Sequence, residues 1–177
     1  VSGTSQTLKA GIDRTCSAWT QILLPQNNLI QSKSGFSLVN LEGITQVITP
    51  LPSSITNQPQ LKRAGFKILQ QLNLTNTVPA AGVTFYSQTP SGTQINPVVW
   101  VRDIQTLFCE TACGSATAAI GIIEFLKTNK PPKNLPIIQP TNQPIYVSVS
   151  VSESSPITTV TIRSPIQILS LNGSIVL

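Results

Sequence analysis

The chain has 177 residues, 40% of them hydrophobic and 10% charged, which is enough for one well-cored domain and too apolar for a disordered segment. Its net charge of +5 comes from eleven basic and six acidic residues; they are scattered, with no basic run interleaved with aromatics, which argues against nucleic acid as a partner. No apolar run approaches the roughly 18 residues of a membrane-crossing helix, so no membrane partner is expected, and three cysteines at no framework spacing point to a reducing, cytoplasmic setting.

Residues 1–18 read as an irregular leader or former linker, and residues 19–177 as a single domain. The chain begins at Val1 and contains no methionine, so we expect a processed protein or a piece of a longer one. Trp19 to Leu24 reads as a strand closed by Pro25. Phe36 to Asn40 and, more weakly, Thr45 to Ile48 alternate with period two, as half-buried strands do. Pro50 to Pro59 reads as loop. Leu61, Ala64, Gly65, Ile68, Leu69 and Leu72 then recur at three- and four-residue steps, which predicts an amphipathic helix with one buried stripe.

Gly82 to Ser87 and Ile95 to Arg102 follow as strands, with a turn at Pro90-Ser91-Gly92 between them. From about Gly114 to Lys127 the apolar residues cover almost the whole helical circumference, so that helix must be enclosed. Residues 131–144 read as a proline-rich loop. Ile145 to Val151 alternates over seven residues, and Ile157 to Arg163, Ile166 to Leu169 and Ser174 to Leu177 read as short closing strands. The expected fold class is α+β: a curled antiparallel sheet wrapped around a central buried helix, with one additional amphipathic helix.

Chemistry concentrates in Glu110-Thr111-Ala112-Cys113-Gly114-Ser115, immediately before the enclosed helix. Free backbone N–H groups and the positive end of the helix dipole favour negative charge there. We therefore expect Cys113 to be biased towards thiolate, with a carboxylate docking on the neighbouring amides. The blander reading makes Cys113 a small buried apolar residue and Glu110 an acid that merely favours the helix start.

Cys113-Gly114-Ser115 after Glu110-Thr111, with a buried helix behind, resembles the C-terminal half of the diaminopimelate-epimerase-like superfamily. Val39 to Ile48 is most similar to the histidine-racemase branch. The resemblance implies a cofactor-independent amino-acid racemase or epimerase in which two half-domains each offer a thiol and the amino-acid substrate lies between them. Cys113 would be one acid/base, with Glu110 beside it; Gly114, Ser115, Gln46 and Arg102 would contact substrate; no metal is implied. The N-terminal half, with the other cysteine, is expected on the same precursor or on a separate chain, and a homodimer is compatible with this arrangement.

The match is incomplete. The family's Glu-Arg pair falls on Gln105 and Thr106, which puts diaminopimelate in doubt as substrate. The family's histidine has no counterpart, and Gln46 or Thr45 stands in its place. Two other readings remain: a phenazine-biosynthesis-type isomerase with Glu110 as the acid/base, and a non-catalytic binding or assembly module that keeps the fold.

Overall fold

A computed structural model describes residues 7–152 and 155–167. Among these residues eleven strands and three helices follow in the order β1 (Ala10–Ile12), β2 (Ser17–Ile22), β3 (Ile30–Lys33), β4 (Phe36–Leu41), β5 (Ile44–Pro50), α1 (Gln58–Gln71), α2 (Leu74–Thr77), β6 (Ala80–Thr89), β7 (Gly92–Val101), β8 (Thr106–Cys109), α3 (Gly114–Thr128), β9 (Leu135–Ile138), β10 (Pro144–Ser152) and β11 (Ser155–Pro165). All strands join one sheet, ordered β1-β2-β11-β10-β9-β7-β6-β5-β4-β3, with β8 paired to β7 off that path.

The sheet is mixed rather than antiparallel. β5 pairs β6 in parallel across the α1 connection, and β9 pairs β7 in parallel after α3. Parallel neighbours need a crossover connection, which α1 supplies between β5 and β6; β9 lies parallel to β7 because the β7–β8 hairpin first reverses the chain and the connection through α3 reverses it again. The stretch expected to be an irregular leader also carries order: Gly11 pairs with Trp19, and β2 runs antiparallel to β11. Within the proline-rich segment, Leu135 to Ile138 forms a strand against β10. Of the strand expected at Ile166 to Leu169, Ile166 and Gln167 lie past the end of β11 and the rest, like the strand expected at residues 174–177, falls outside the described residues.

Alternation along the central strands sorts the core into two layers. Leu38, Val47, Val83, Phe85 and Val98 pack with Leu61, Leu69 and Leu72 of the α1 region. Val39, Leu41, Ile48 and Ile95 face the other way and pack with Ala116, Ala119, Ile120 and Ile123 of α3. The strands between are thus buried on both sides. Nine of the fifteen α3 residues are buried, though Leu126 is 48% exposed, so the last turn escapes the enclosure expected of it.

Two glycines set how closely the layers approach. A methyl at Gly121 would lie 2.6 Å from Val147 Cγ2, and one at Gly65 would lie 3.0 Å from Val98 Cβ. The helices are also terminated by sequence. Asn57 caps α1 by accepting from Gln60 N, and α3 ends at Asn129 in the left-handed region, whose N–H returns to Phe125 O. No helix among the described residues is long and apolar enough to cross a membrane.

Candidate active site at the start of α3

The approach to α3 is pinned from both sides. Glu110 N donates to Pro97 O at 3.0 Å as β8 leaves the sheet. Three residues later Cys113 adopts extended backbone (φ −142, ψ 109) and becomes the N-cap of α3. Its carbonyl accepts from Thr117 N at 3.1 Å and Thr117 Oγ1 at 2.8 Å, and its sulfur accepts from Ala116 N at 3.4 Å. Its own N–H donates to Gln139 Oε1 at 3.0 Å. The cysteine therefore sits at the helix start, as the Gly-Ser spacing and the apolar run behind it predict.

Cys113 is 4% exposed and lies in the α3 core layer. Burial, reinforced by a hydrogen bond to Glu110 and that residue's negative charge, pushes the Cys113 thiol up to about 12. Bonds from Ser115 and from the Ala116 amide pull the other way but do not win. The expected thiolate bias is therefore overturned for this chain alone. Desolvation costs the anion more than the first free amides of one helix return.

Behind the sulfur runs a chain of polar contacts. Ser115 Oγ lies 3.3 Å from Cys113 Sγ, Gln46 Nε2 donates to Ser115 Oγ at 2.9 Å, and Thr84 Oγ1 donates to Gln46 Oε1 at 3.0 Å. Gln46 and Thr84 are both 0% exposed. Gln46 therefore does not present itself to a substrate, as its expected role required; it reaches the cysteine through Ser115. Its place depends on Gly82, its partner in the parallel β5–β6 register, where an added methyl would overlap the Gln46 amide.

Gly114 and Ser115 are half-buried, and Thr111 and Ala112 exposed, so the start of α3 opens on one side. Among the described residues the Gly114 and Ser115 N–H groups, the first two of the helix, have no partner. Glu110 lines an adjoining cavity of about 320 Å³ together with Asn57, Gln58, Asn96, Cys109 and Thr111; Cys113 is not in its lining. Arg102 is elsewhere. It is exposed, pairs with Asp103 at 3.3 Å, and sits at the far end of the β7–β8 hairpin from Glu110, roughly 13 Å away for four extended residues.

Sequence reasoning missed Gln139, Thr84 and Thr117, all buried polar side chains that hold this helix start. The usable signal for Thr84 was its apolar-flanked position in a strand; Gln139, beside Pro140, offered none. Among the described residues no three His, Cys, Asp or Glu side chains converge as a metal site would require.

The architecture is similar to two solved structures. A hydroxyproline epimerase from Agrobacterium vitis, with bound trans-4-OH-L-proline, superposes with a TM-score of 0.56 at 14% identity over 84% of this chain and 49% of that one. A probable proline racemase from Agrobacterium radiobacter K84, with bound carbonate, gives 0.58 at 10% identity over 88% and 54%. The chain thus spans about half the length of each, and the likeness is one of fold. Among curated proteins no match is found. Residues 1–175 match the family described as the histidine racemase CntK N-terminal domain, and the chain, with its thiol at the head of a buried helix in a racemase-like fold, belongs to that family.

Proposed function

We propose that this chain is one half of a cofactor-independent amino-acid racemase or epimerase, with a sheet curled around α3 as its half of a diaminopimelate-epimerase-like fold. Cys113 is one of two acid/bases that exchange the α-proton. The observation carrying this is the combination at one helix start: a thiol on the N-cap and two unpartnered amides beside it on the open side. A substrate α-carboxylate accepts from the Gly114 and Ser115 amides, which places the α-carbon near the sulfur. Those preorganised donors then stabilise the charge that develops as the α-proton leaves.

A thiol held up to about 12 is protonated at neutral pH, so Cys113 starts as the acid. Its S–H bond breaks as a C–H bond forms on one face of the α-carbon. A base on the companion half removes the original proton from the opposite face. The thiolate left at Cys113 is met by the Ser115 hydroxyl and the Ala116 N–H. The reverse reaction exchanges the two roles, so protons balance over either direction.

The companion half is required whichever end of the precursor it occupies. The residues around Cys113 resemble a C-terminal half, whereas the matched family is that of an N-terminal domain; we follow the family and place the companion after this domain, on the same precursor or a separate chain. A reducing, cytoplasmic setting suits the three free cysteines.

The test is α-deuterium incorporation into candidate L-amino acids in deuterated water, using the complete two-half protein. Exchange should fall by about 10²–10⁴ in Cys113→Ser, the usual size of a lost general acid/base. Absence of exchange with every amino acid, in both proteins alike, overturns the reading. The second reading, isomerisation with Glu110 as the acid/base, draws on Glu110 rather than Cys113 lining the cavity. It requires Glu110→Gln to abolish turnover while Cys113→Ser leaves it largely intact.

A further inference from the structure

The polar chain from Thr84 to Cys113 has a direction. Thr84 Oγ1 donates to Gln46 Oε1, which leaves Gln46 Nε2 to donate to Ser115 Oγ at 2.9 Å. Ser115 then accepts from Gln46, and its own hydroxyl proton has the sulfur 3.3 Å away as its acceptor. With the amide turned over, Gln46 Oε1 would instead take the Ser115 proton for itself. A glutamine that is 0% exposed in a strand, accommodated only because Gly82 lacks a side chain, is costly to bury unless its hydrogen bonds are made.

We propose that Gln46 is a positioning residue for Cys113: by donating to Ser115 it keeps the Ser115 hydroxyl proton on the sulfur, where it stabilises the thiolate formed on proton transfer. This rests on the racemase reading above. The ionisable group facing the thiol is Glu110, from the loop before α3. Among the described residues the groups on the elements around it are neutral: Gln46 from β5, Thr84 from β6, Gln139 after β9, and the apolar Val147 of β10 and Ile162 of β11 on the sheet packed against α3. Arg163 of β11 is engaged with Asp13 at 3.1 Å.

The experiment uses the complete two-half protein and follows α-deuterium exchange across pH for wild type, Gln46→Glu, Gln46→Met, Ser115→Ala and the Gln46→Met/Ser115→Ala double variant. Either Gln46 substitution should lower kcat about tenfold and leave KM nearly unchanged, the effect of about one unit on the thiol. The basic shift of the pH profile should match that of Ser115→Ala, and the double variant should lose no more than Ser115→Ala alone. If Gln46→Glu fails to fold, the near-isosteric Gln46→Met carries the test. Folded Gln46 variants with wild-type kcat and pH profile, or losses that multiply independently with Ser115→Ala, overturn the proposal. If wild type exchanges no proton, the racemase reading falls separately. The positioning role is then read from Cys113 alkylation by iodoacetamide at fixed pH, expected about tenfold slower in Gln46→Met; equal rates overturn it.

Discussion

Gln139 accepts the backbone N–H of Cys113 at 3.0 Å while its own amide donates to Thr117 Oγ1 at 3.0 Å and to Ile137 O at 2.9 Å. One side chain, 1% exposed, thus ties the N-cap and first turn of α3 to the end of β9. Replacing it with leucine leaves buried donors and acceptors without partners. Gln139→Leu should lower unfolding stability by about 2–4 kcal/mol, seen as a lower urea midpoint at constant slope. A midpoint equal to wild type would show the three bonds to be energetically idle.

At Gly121 α3 presses closely on Val147 of β10. In an exposed helix a glycine-to-alanine change gains about 1 kcal/mol. Here the added methyl would sit 2.6 and 2.8 Å from the two Val147 methyls, and overpacking costs about 1–3 kcal/mol. Gly121→Ala should therefore destabilise the domain, and Val147→Ala in the same protein should recover part of the loss. Thermal unfolding of the two single variants and the pair decides it; additive losses would refute the packing argument.

The Cys113 thiol gives a signed pH dependence. Its folded value, pushed to about 12, lies above the ordinary 9.0 of an unfolded chain. Between those values the unfolded state holds fewer protons, so stability falls as pH rises. The contribution is complete below about pH 9 and disappears on the way to about pH 12, amounting to at most about 4 kcal/mol. Cys109, raised by burial in the same direction, is present in both wild type and Cys113→Ala. The difference between their pH–stability curves should therefore isolate Cys113, and parallel curves above pH 9 would rule out the buried neutral thiol.

At the other helix, the N-cap Asn57 Oδ1 accepts from Gln60 N at 3.0 Å while Gln60 Oε1 reaches back to accept from Thr56 N, one residue before the cap, at 2.8 Å. Asn57→Ala should cost about 1 kcal/mol. Because Asn57 also lines the cavity that holds Glu110, the same variant should alter KM for a substrate using that cavity. An effect on stability with KM untouched would confine Asn57 to capping.

The strands with plain alternation, β4, β5 and β10, were legible, as were both long helices, because burial there follows the side-chain period. Parallel pairing was not taken from the sequence, although strand β5, helix α1 and strand β6 in succession carried that information through the length of the connection. β9 was hidden by Pro136 at its second position; a proline marks a chain that cannot donate there, but it is compatible with a strand whose neighbours tolerate the gap. The position of Cys113 was legible from Gly-Ser spacing and the apolar run behind it. Its protonation was not, since its burial comes from a core layer that gathers residues from strands far along the chain. Gln46 was singled out for contact with a substrate and is instead buried against Ser115, because nothing local in β5 tells a buried face from an open one.

Sulfur is a poor stand-in for oxygen at the head of a helix: its 3.4 Å contact with Ala116 N is long beside the bond a serine or aspartate would make there. A residue chosen only to keep this domain folded would not be cysteine. Mutating the thiol to a hydroxyl should therefore leave a protein at least as robust as the parent.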